Sequence, residues 1–171
     1  MSGTVEVRCL AAGDEAVLDR VAEGVFDHDV RPAWARDYLA EPRQLLAVAV
    51  VDGVVVAMAS GVVYGHPDKA PQLFVNEVGV APAQRRRGLG ARVLRCLLDR
   101  GRDLGCAEAW VATEDDNDAA LALYAATGGH DEGYRAAVFT YPLAPAAAAE
   151  PARADAGRAA AGVTPREGSS P

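Results

Sequence analysis

Two apolar runs near the middle of the chain predict a β-hairpin. Residues 45–51 and 54–63 are rich in β-branched side chains, and only Asp52-Gly53 separates them. This dipeptide is a strong hairpin signal, because both central positions of a two-residue turn tolerate a positive φ. A weaker alternation over residues 5–9 predicts an earlier strand.

Apolar residues with a helical period predict two helices between that first strand and the hairpin. Asp14 is suited to cap the first helix. Its apolar stripe consists of Val17, Leu18, Val21, Val25 and Phe26. Pro32 fits the first turn of the second, shorter helix, which carries Trp34 and Tyr38. The acidic stretch between the two helices reads as a loop.

The second half of the chain alternates strands with helices. The predicted elements are a strand at 73–80, a helix from 89 to 104, a strand at 107–113, a helix from 118 to 127 and a last strand at 138–142. Pro82 ends the first of these strands, Gly105 fits a left-handed helix cap, and Asn117 or Asp118 fits an N-cap. The pattern is that of a mixed α/β chain.

Composition predicts one folded domain and a tail. Half of the 171 residues are hydrophobic, which is enough for a single core. Residues 144–171 are nearly all Ala, Pro, Gly, Arg, Glu and Ser, so we expect a domain over residues 1–143 and a disordered tail after it. The tail's arginines and acids cancel, and the net charge of −7 therefore belongs to the domain. This acidity disfavours nucleic-acid binding and favours a cationic partner.

The cysteines and the hydropathy pattern indicate a soluble cytoplasmic protein. Cys9, Cys96 and Cys106 lack metal-ligand spacing, so we expect no metal and no catalytic thiol. No apolar run approaches the roughly 20 residues that span a bilayer, and no secretory leader is recognisable, so we expect no membrane partner.

The densest positive charge of this acidic chain predicts an anion site. Arg85, Arg86 and Arg87 precede Gly88 and Gly90, between a predicted strand and a predicted helix. The first turn of a helix has unpaired N–H groups and a partial positive charge, and glycines allow close approach to the backbone. A polyphosphate suits such a turn, although a solvated run of arginines is the simpler alternative.

Two phosphate-binding motifs fit this turn poorly. A P-loop needs Lys-Ser/Thr after its last glycine, where this chain has Ala91-Arg92. A dinucleotide-binding fingerprint needs a third small residue where Val93 stands, and it lies early in a βαβ unit rather than after a hairpin.

The chain resembles the GCN5-related N-acetyltransferases. Arg85-Arg86-Arg87-Gly88-Leu89-Gly90 matches their acetyl-coenzyme A loop, Arg/Gln-x-x-Gly-x-Gly/Ala, and residues 117–124 match a second pattern, N-x-x-A-x-x-L-Y. The resemblance covers about residues 4–142. It implies an α/β fold with a mixed sheet of six to seven strands, about four helices and a splayed strand before the loop. One departure is Gly129-His130, where the family usually has Gly-Phe.

The resemblance also implies a donor and a set of site residues. Acetyl-coenzyme A is the acetyl donor, and no metal takes part. The residues implied to bind it are Val78, Val80, Arg85, Arg86, Arg87, Gly88, Gly90, Ala91 and Asn117. An N-cap role explains Asn117 equally well. Glu77 on the splayed strand is implied to be the general base and Tyr124 the general acid, although a buried helix stripe is the alternative for Tyr124.

Acidic residues near the expected cleft indicate a cationic acceptor. They are Asp27, Asp29, Glu114, Asp115 and Asp116. Solvated acidic loops are the simpler interpretation. The pattern of NEVGV, R-R-x-G and EDDNDAALALY most resembles the aminoglycoside 3-N-acetyltransferases, which implies an aminoglycoside acceptor. A polyamine or a peptide amine fits the same charges, a coenzyme-binding sensor without activity stays open, and dimers are common in the family.

Overall fold

A five-stranded sheet forms the centre of the molecule. The structure, a computed structural model, describes residues 4–143. The strands, in the order in which they neighbour each other, are β1 Val5–Leu10, β2 Gln44–Val51, β3 Val54–Tyr64, β4 Gln72–Val80 and β5 Glu108–Trp110. Neighbours are antiparallel from β1 to β4, whereas β4 and β5 are parallel. The helices are α1 Pro32–Ala40, α2 Leu89–Asp103 and α3 Asp118–Ala126.

The predicted hairpin and the predicted long helix are confirmed. Asp52 and Gly53 join β2 to β3 with φ values of 50° and 72°, as a two-residue turn of this type requires. Helix α2 buries the expected apolar stripe, and Gly105 follows it with a φ of 79°. Both elements depend only on residues that are close together in the sequence, so they can be predicted without knowledge of the rest of the fold.

Each face of the sheet has its own apolar core. Helix α2 packs on one face, where the buried side chains include Ala57, Ala59, Leu73, Val75, Val93 and Leu97. Helix α1 and the segment before it pack on the other face, where they include Leu18, Val25, Leu39, Val48, Val55 and Met58. We refer to these as the α2 face and the α1 face.

A β-bulge at Asn76 divides strand β4 into two halves. Gly61 on β3 pairs with Val75, whereas the next residue, Ser60, pairs with Glu77. Asn76 is therefore the extra residue and is exposed. Because of this residue, Val78 and Val80 continue to pack against the α2 core, whereas Glu77 lies on the α1 face.

The first predicted helix is wrong beyond its first turn. A short 3-10 helix covers Glu15–Asp19, and the chain then becomes extended. The Ala22 N–H donates to the Val55 carbonyl and the Val55 N–H donates to the Arg20 carbonyl, each at 2.9 Å. Pairing with β3 therefore replaces helix over these residues, and Val21 and Val25 are covered without a helical stripe.

The expected numbers of strands and helices are also wrong for the described residues. They contain five strands and three α-helices rather than six to seven and about four. Residues 134–143 belong to a unit separate from the one that contains residues 4–133, and the predicted strand at 138–142 has no strand pairing among the described residues. Val138 and Phe139 are 89% and 79% exposed, so no burial offsets the entropy of ordering a strand. The predicted tail lies outside the described residues.

Candidate active site

The turn before helix α2 presents free backbone donors. Gly88 caps the helix with a φ of 74°, and Arg86 also has a positive φ, 61°. The helix has no side-chain cap and no acidic residue in its first turn, and its N–H groups find a first backbone partner at Arg92, which donates to the Gly88 carbonyl at 3.2 Å. The amides at the start of α2 and the partial positive charge of the helix are therefore available to an anion. The exposed side chains of Arg85–Arg87 surround them.

The start of helix α2 lies against β4 and α3. A methyl group added at Gly90 would lie 3.5 Å from a Val80 methyl carbon and 3.5 Å from a Leu123 methyl carbon. These are ordinary contact distances, so neighbouring side chains do not themselves exclude a small residue here. The same contacts place the turn, the end of β4 and the helix that carries Tyr124 around one site.

The edge of β4 is open beside this turn. Strand β5 pairs only with Gln72, Leu73 and Phe74, so the half of β4 after the bulge extends beyond β5. An extended thiol-bearing chain can add to such an edge as a further strand. Arg85 Nε donates to the Val80 carbonyl at 3.2 Å at its end. The free helix amides and this open edge fit the two parts of coenzyme A, its diphosphate and its arm.

Glu77 is held half-buried on the α1 face. It lies opposite Ser60, whose hydroxyl oxygen is buried and has no hydrogen-bond partner among residues 4–143. Burial and then the negative charge of Asp27 raise the pKa of the Glu77 carboxyl above its usual value. A carboxylate with a raised pKa and a neighbouring acid has the character of a general base.

Tyr124 is a half-buried phenol on helix α3. Burial and then the charge of Glu114 raise its pKa. Its neighbours on the helix surface, Leu121 and Ala125, are exposed. Tyr124 is therefore not part of a buried helix stripe, which was the alternative interpretation. A phenol that stays protonated at neutral pH can donate a proton to a leaving thiolate.

The acidic residues named from the sequence fall into separate groups. Asp27 acts on the pKa of Glu77, and Glu114 acts on that of Tyr124. Asp29, Asp115 and Asp116 are exposed loop residues. Asn117 is the N-cap of α3, since its Oδ1 accepts from the Ala120 N–H at 3.1 Å. The N-cap interpretation of Asn117 is thus confirmed, and its contact with the coenzyme stays a prediction.

Tyr38 interacts electrostatically with Glu77, although no local pattern in the sequence marks it as a functional residue. Its hydroxyl donates to the Leu45 carbonyl at 2.9 Å, and burial raises its pKa to about 12, with a further contribution from the charge of Glu77. The Tyr38 phenol on helix α1 and the Glu77 carboxylate therefore lie close enough to interact electrostatically. The packing of helix α1 on the sheet, which no local pattern shows, places Tyr38 on the same face as Glu77.

The described part of the chain has neither a cluster of metal ligands nor a helix that could span a membrane. Within residues 4–143 no group of three or more His, Cys, Asp or Glu side chains is arranged to hold a metal ion. No helix in that part of the chain is long and apolar enough to cross a membrane.

The sequence is similar to acetyltransferases. The model of the Acetyltransferase (GNAT) family matches residues 15–128. The L-2,4-diaminobutyric acid acetyltransferase of Nocardia farcinica (strain IFM 10152) is 33% identical over 129 residues, which are 72% of this chain and 64% of that protein. The N-alpha-acetyltransferase RimI of Mycobacterium tuberculosis (strain ATCC 25618 / H37Rv) is 44% identical over 61 residues, 36% of this chain and 37% of that protein. The chain thus spans less than two thirds of either relative.

Solved acetyltransferase structures share the fold. An aminoglycoside acetyltransferase, meta-AAC0020 from an uncultured soil metagenomic sample, in complex with trehalose, superposes with a TM-score of 0.70 at 20% identity, covering 82% of this chain and 97% of that one. Aminoglycoside N-acetyltransferase AAC(6')-Iy in complex with CoA gives 0.63 at 19% identity, covering 84% and 98%. At such identities the likeness concerns the fold alone.

Proposed function

We propose that this chain, which belongs to the acetyltransferase (GNAT) family, uses acetyl-coenzyme A to acetylate a primary amine of a cationic small molecule. An aminoglycoside is the leading candidate. The observation that carries this proposal is the half-buried Glu77 on β4, next to the part of β4 that β5 leaves unpaired. Burial and then the charge of Asp27 raise the pKa of its carboxyl. The two carboxylates attract an ammonium group, and the one with the raised pKa accepts its proton.

Different residues of the chain bind the donor, align its arm and transfer protons. Bound acetyl-coenzyme A supplies a thioester that an uncharged amine attacks directly. The amides of Gly88, Gly90 and Ala91 with Arg85–Arg87 bind the diphosphate, and the main chain at Val78 and Val80 aligns the arm. Glu77 takes one proton from the ammonium group, and Tyr124 gives a proton to the sulfur as the carbon–sulfur bond breaks. The second proton lost by the nitrogen on forming the amide restores the Tyr124 phenol.

The 3-N position of an aminoglycoside is the finer part of this proposal. It is supported by the pattern of acids in NEVGV and EDDNDAALALY, with Asp29, Asp115 and Asp116 exposed where several ammonium groups could bind. The product distinguishes the alternatives, because acetylation at the 3-amine and at the 6'-amine shifts different ring protons in its NMR spectrum. A product acetylated at the 6'-amine would reject the 3-N assignment and keep the acceptor class.

A second candidate acceptor is 2,4-diaminobutyrate. The relative that is 33% identical over 72% of this chain is named for that diamine, which favours it over other acyclic amines. Its carboxylate would be repelled by Glu77 and Asp27, whereas every charged group of an aminoglycoside is attracted. We therefore place it after the aminoglycosides.

One assay separates these candidates. Release of free thiol from acetyl-coenzyme A is followed with aminoglycosides, 2,4-diaminobutyrate, spermidine and a short peptide with a free amine. We expect kcat/KM to be highest for an aminoglycoside. Preference for any other amine would replace the acceptor and keep the reaction. Binding of acetyl-coenzyme A without thiol release for any amine would support a sensor instead.

A further inference from the structure

An aromatic pair lies on the same sheet face as Glu77. Trp110 of β5 is in register with Phe74 of β4, and their ring centroids are 4.5 Å apart at an angle of 40°. Phe74 pairs with Val62 of β3, and Glu77 pairs with Ser60 two residues earlier on that strand. Residues two apart on a strand point to the same face, so the aromatic pair and Glu77 share the α1 face.

A chain of two hydrogen bonds, through Tyr64 to Gln72, holds the indole of Trp110 in place. Its Nε1 donates to the Tyr64 hydroxyl at 2.5 Å, and that hydroxyl donates to Gln72 Oε1 at 2.9 Å. His66 packs edge-on against Tyr64, with the centroids 5.1 Å apart. The polar atom of Trp110 is therefore satisfied within the protein, and the 44% of the residue that is exposed offers ring surface.

The spacing between the aromatic pair and the base matches a ring. Phe74 and Glu77 occupy successive positions of β4 on one face because Asn76 is bulged out, and such positions are about 7 Å apart. A six-membered ring that carries an amine fits between these two positions and presents a broad C–H face to the indole. An acyclic diamine reaches as far but has no ring face with which to cover the indole.

We propose that Trp110, supported by Phe74, is the acceptor-binding wall of the site and selects amines carried on a saturated ring. The assignment rests on the proposed acetyltransferase function and narrows its substrate class. The apolar C–H face of an amino sugar would stack on the indole while its ammonium group binds Glu77 and Asp27. Tyr64 is a positioning residue, because it holds the indole and does not contact the acceptor.

Tryptophan fluorescence tests this wall directly. The chain has two tryptophans, and Trp34 lies on α1 with the Arg31 guanidinium 4.4 Å from its ring centre. In a Trp34→Phe background the emission therefore reports Trp110 alone. We expect an aminoglycoside to change this emission in a saturable manner, whereas 2,4-diaminobutyrate at the same occupancy leaves it unchanged. Equal responses to both amines, or none to the aminoglycoside, would overturn the proposal.

Kinetics of a second variant provide an independent test. Trp110→Leu should raise KM for an aminoglycoside about tenfold, the loss of one ring contact, with KM for acetyl-coenzyme A unchanged. Tyr64→Phe should give a smaller rise of the same kind, and Trp34→Phe should match wild type. A rise that is equal for cyclic and acyclic amines would overturn the proposal. Loss of the circular dichroism spectrum would identify a folding defect, and the fluorescence titration then decides.

Failure of this inference differs from failure of the proposed function. If wild type acetylates an aminoglycoside but Trp110 neither responds to it nor affects its KM, the function holds and the wall is rejected. If no amine causes thiol release, the proposed function is rejected, and a saturable response of Trp110 still locates ring binding at this face.

Discussion

Glu77 stands apart from the other acids because its environment opposes its charge. Its neighbours on the same face of β4, Phe74 and Gly79, are apolar. Burial and the negative charge of Asp27 both oppose ionisation of its carboxyl. A carboxyl whose pKa in the folded state is raised stabilises the fold below its unfolded pKa of 4.5, and this stabilisation is lost as pH rises through the folded pKa. Ionised Glu77 therefore opposes folding at neutral pH.

This linkage predicts a gain in stability when the charge is removed. Glu77→Gln should raise Tm at pH 7 on the order of 1–2 °C and should give a smaller gain at pH 4, where wild-type Glu77 is more protonated. Thermal unfolding at both pH values measures the difference. A fall in Tm at pH 7 would mean that the carboxylate stabilises the fold.

Asp27 should set the acid limb of the pH profile. A general base works only when deprotonated, so kcat should rise with pH through a pKa above the usual carboxyl range. Asp27→Asn removes a charge that raises the pKa of Glu77, and the limb should move to lower pH. Asp29→Asn, in the same loop, serves as the matched control and should leave it in place. If the acid limb does not move in Asp27→Asn, the charge of Asp27 does not influence the pKa of the general base.

Helix α2 contributes both to the apolar core and to the proposed donor site. Its apolar stripe packs on the sheet, while its first turn keeps donors that no cap satisfies. Helix stability and anion binding therefore make opposite demands on that turn, because a carboxylate placed there would stabilise the helix and repel a diphosphate.

A charge at Ala91 tests this opposition. Ala91→Asp should stabilise the protein by about 0.5 kcal/mol through the helix dipole, yet raise KM for acetyl-coenzyme A at least about tenfold. Ala91→Asn has nearly the same shape without the charge and should change KM much less. Denaturant unfolding and initial rates give the two quantities. A tighter binding of acetyl-coenzyme A by Ala91→Asp would contradict the donor site.

The elements that the sequence predicted are those with a local cause. Asp52-Gly53 determines its turn, and the stripe of α2 and the N-cap Asn117 determine their helices. The bulge at Asn76 depends on the register with β3, and residues 20–22 become extended because Val55 offers them a backbone partner. The electrostatic interaction of Glu77 with Tyr38 and the ring contact of Phe74 with Trp110 join distant segments, so no periodicity of the sequence predicts them.

At the scale of the whole molecule, charge favours one of the two substrates. The chain carries a net charge of −7, which attracts a polycationic acceptor. The same charge repels an anionic donor everywhere except at the arginine turn. The concentration of positive charge at Arg85–Arg87 offsets that repulsion locally. The proposed acceptor and the proposed donor would thus approach surfaces of opposite sign.

Salt should expose this asymmetry. Raising ionic strength from about 50 to 500 mM should raise KM for an aminoglycoside threefold or more, because screening weakens long-range attraction. KM for an amine with a single charge should change little, and that amine is the control. Insensitivity of the aminoglycoside KM to salt would exclude electrostatic steering by the acidic surface.

The proposed domain boundary makes a further whole-molecule prediction. A chain that ends at Leu143 should keep the kcat of the full chain and a Tm within about 2 °C of it, because every residue assigned to the site lies before that point. Differential scanning calorimetry and thiol release measure both. A truncated chain that loses activity would extend the functional domain beyond residue 143.

The most direct test of the account is thiol release by wild type and by Glu77→Gln with the same aminoglycoside. Wild type should release one thiol for each amine acetylated, whereas Glu77→Gln should turn over about 100-fold more slowly with acetyl-coenzyme A affinity intact. Equal rates in the two proteins, or an equal loss of donor affinity and of turnover in the variant, would contradict the assignment of Glu77 as the base.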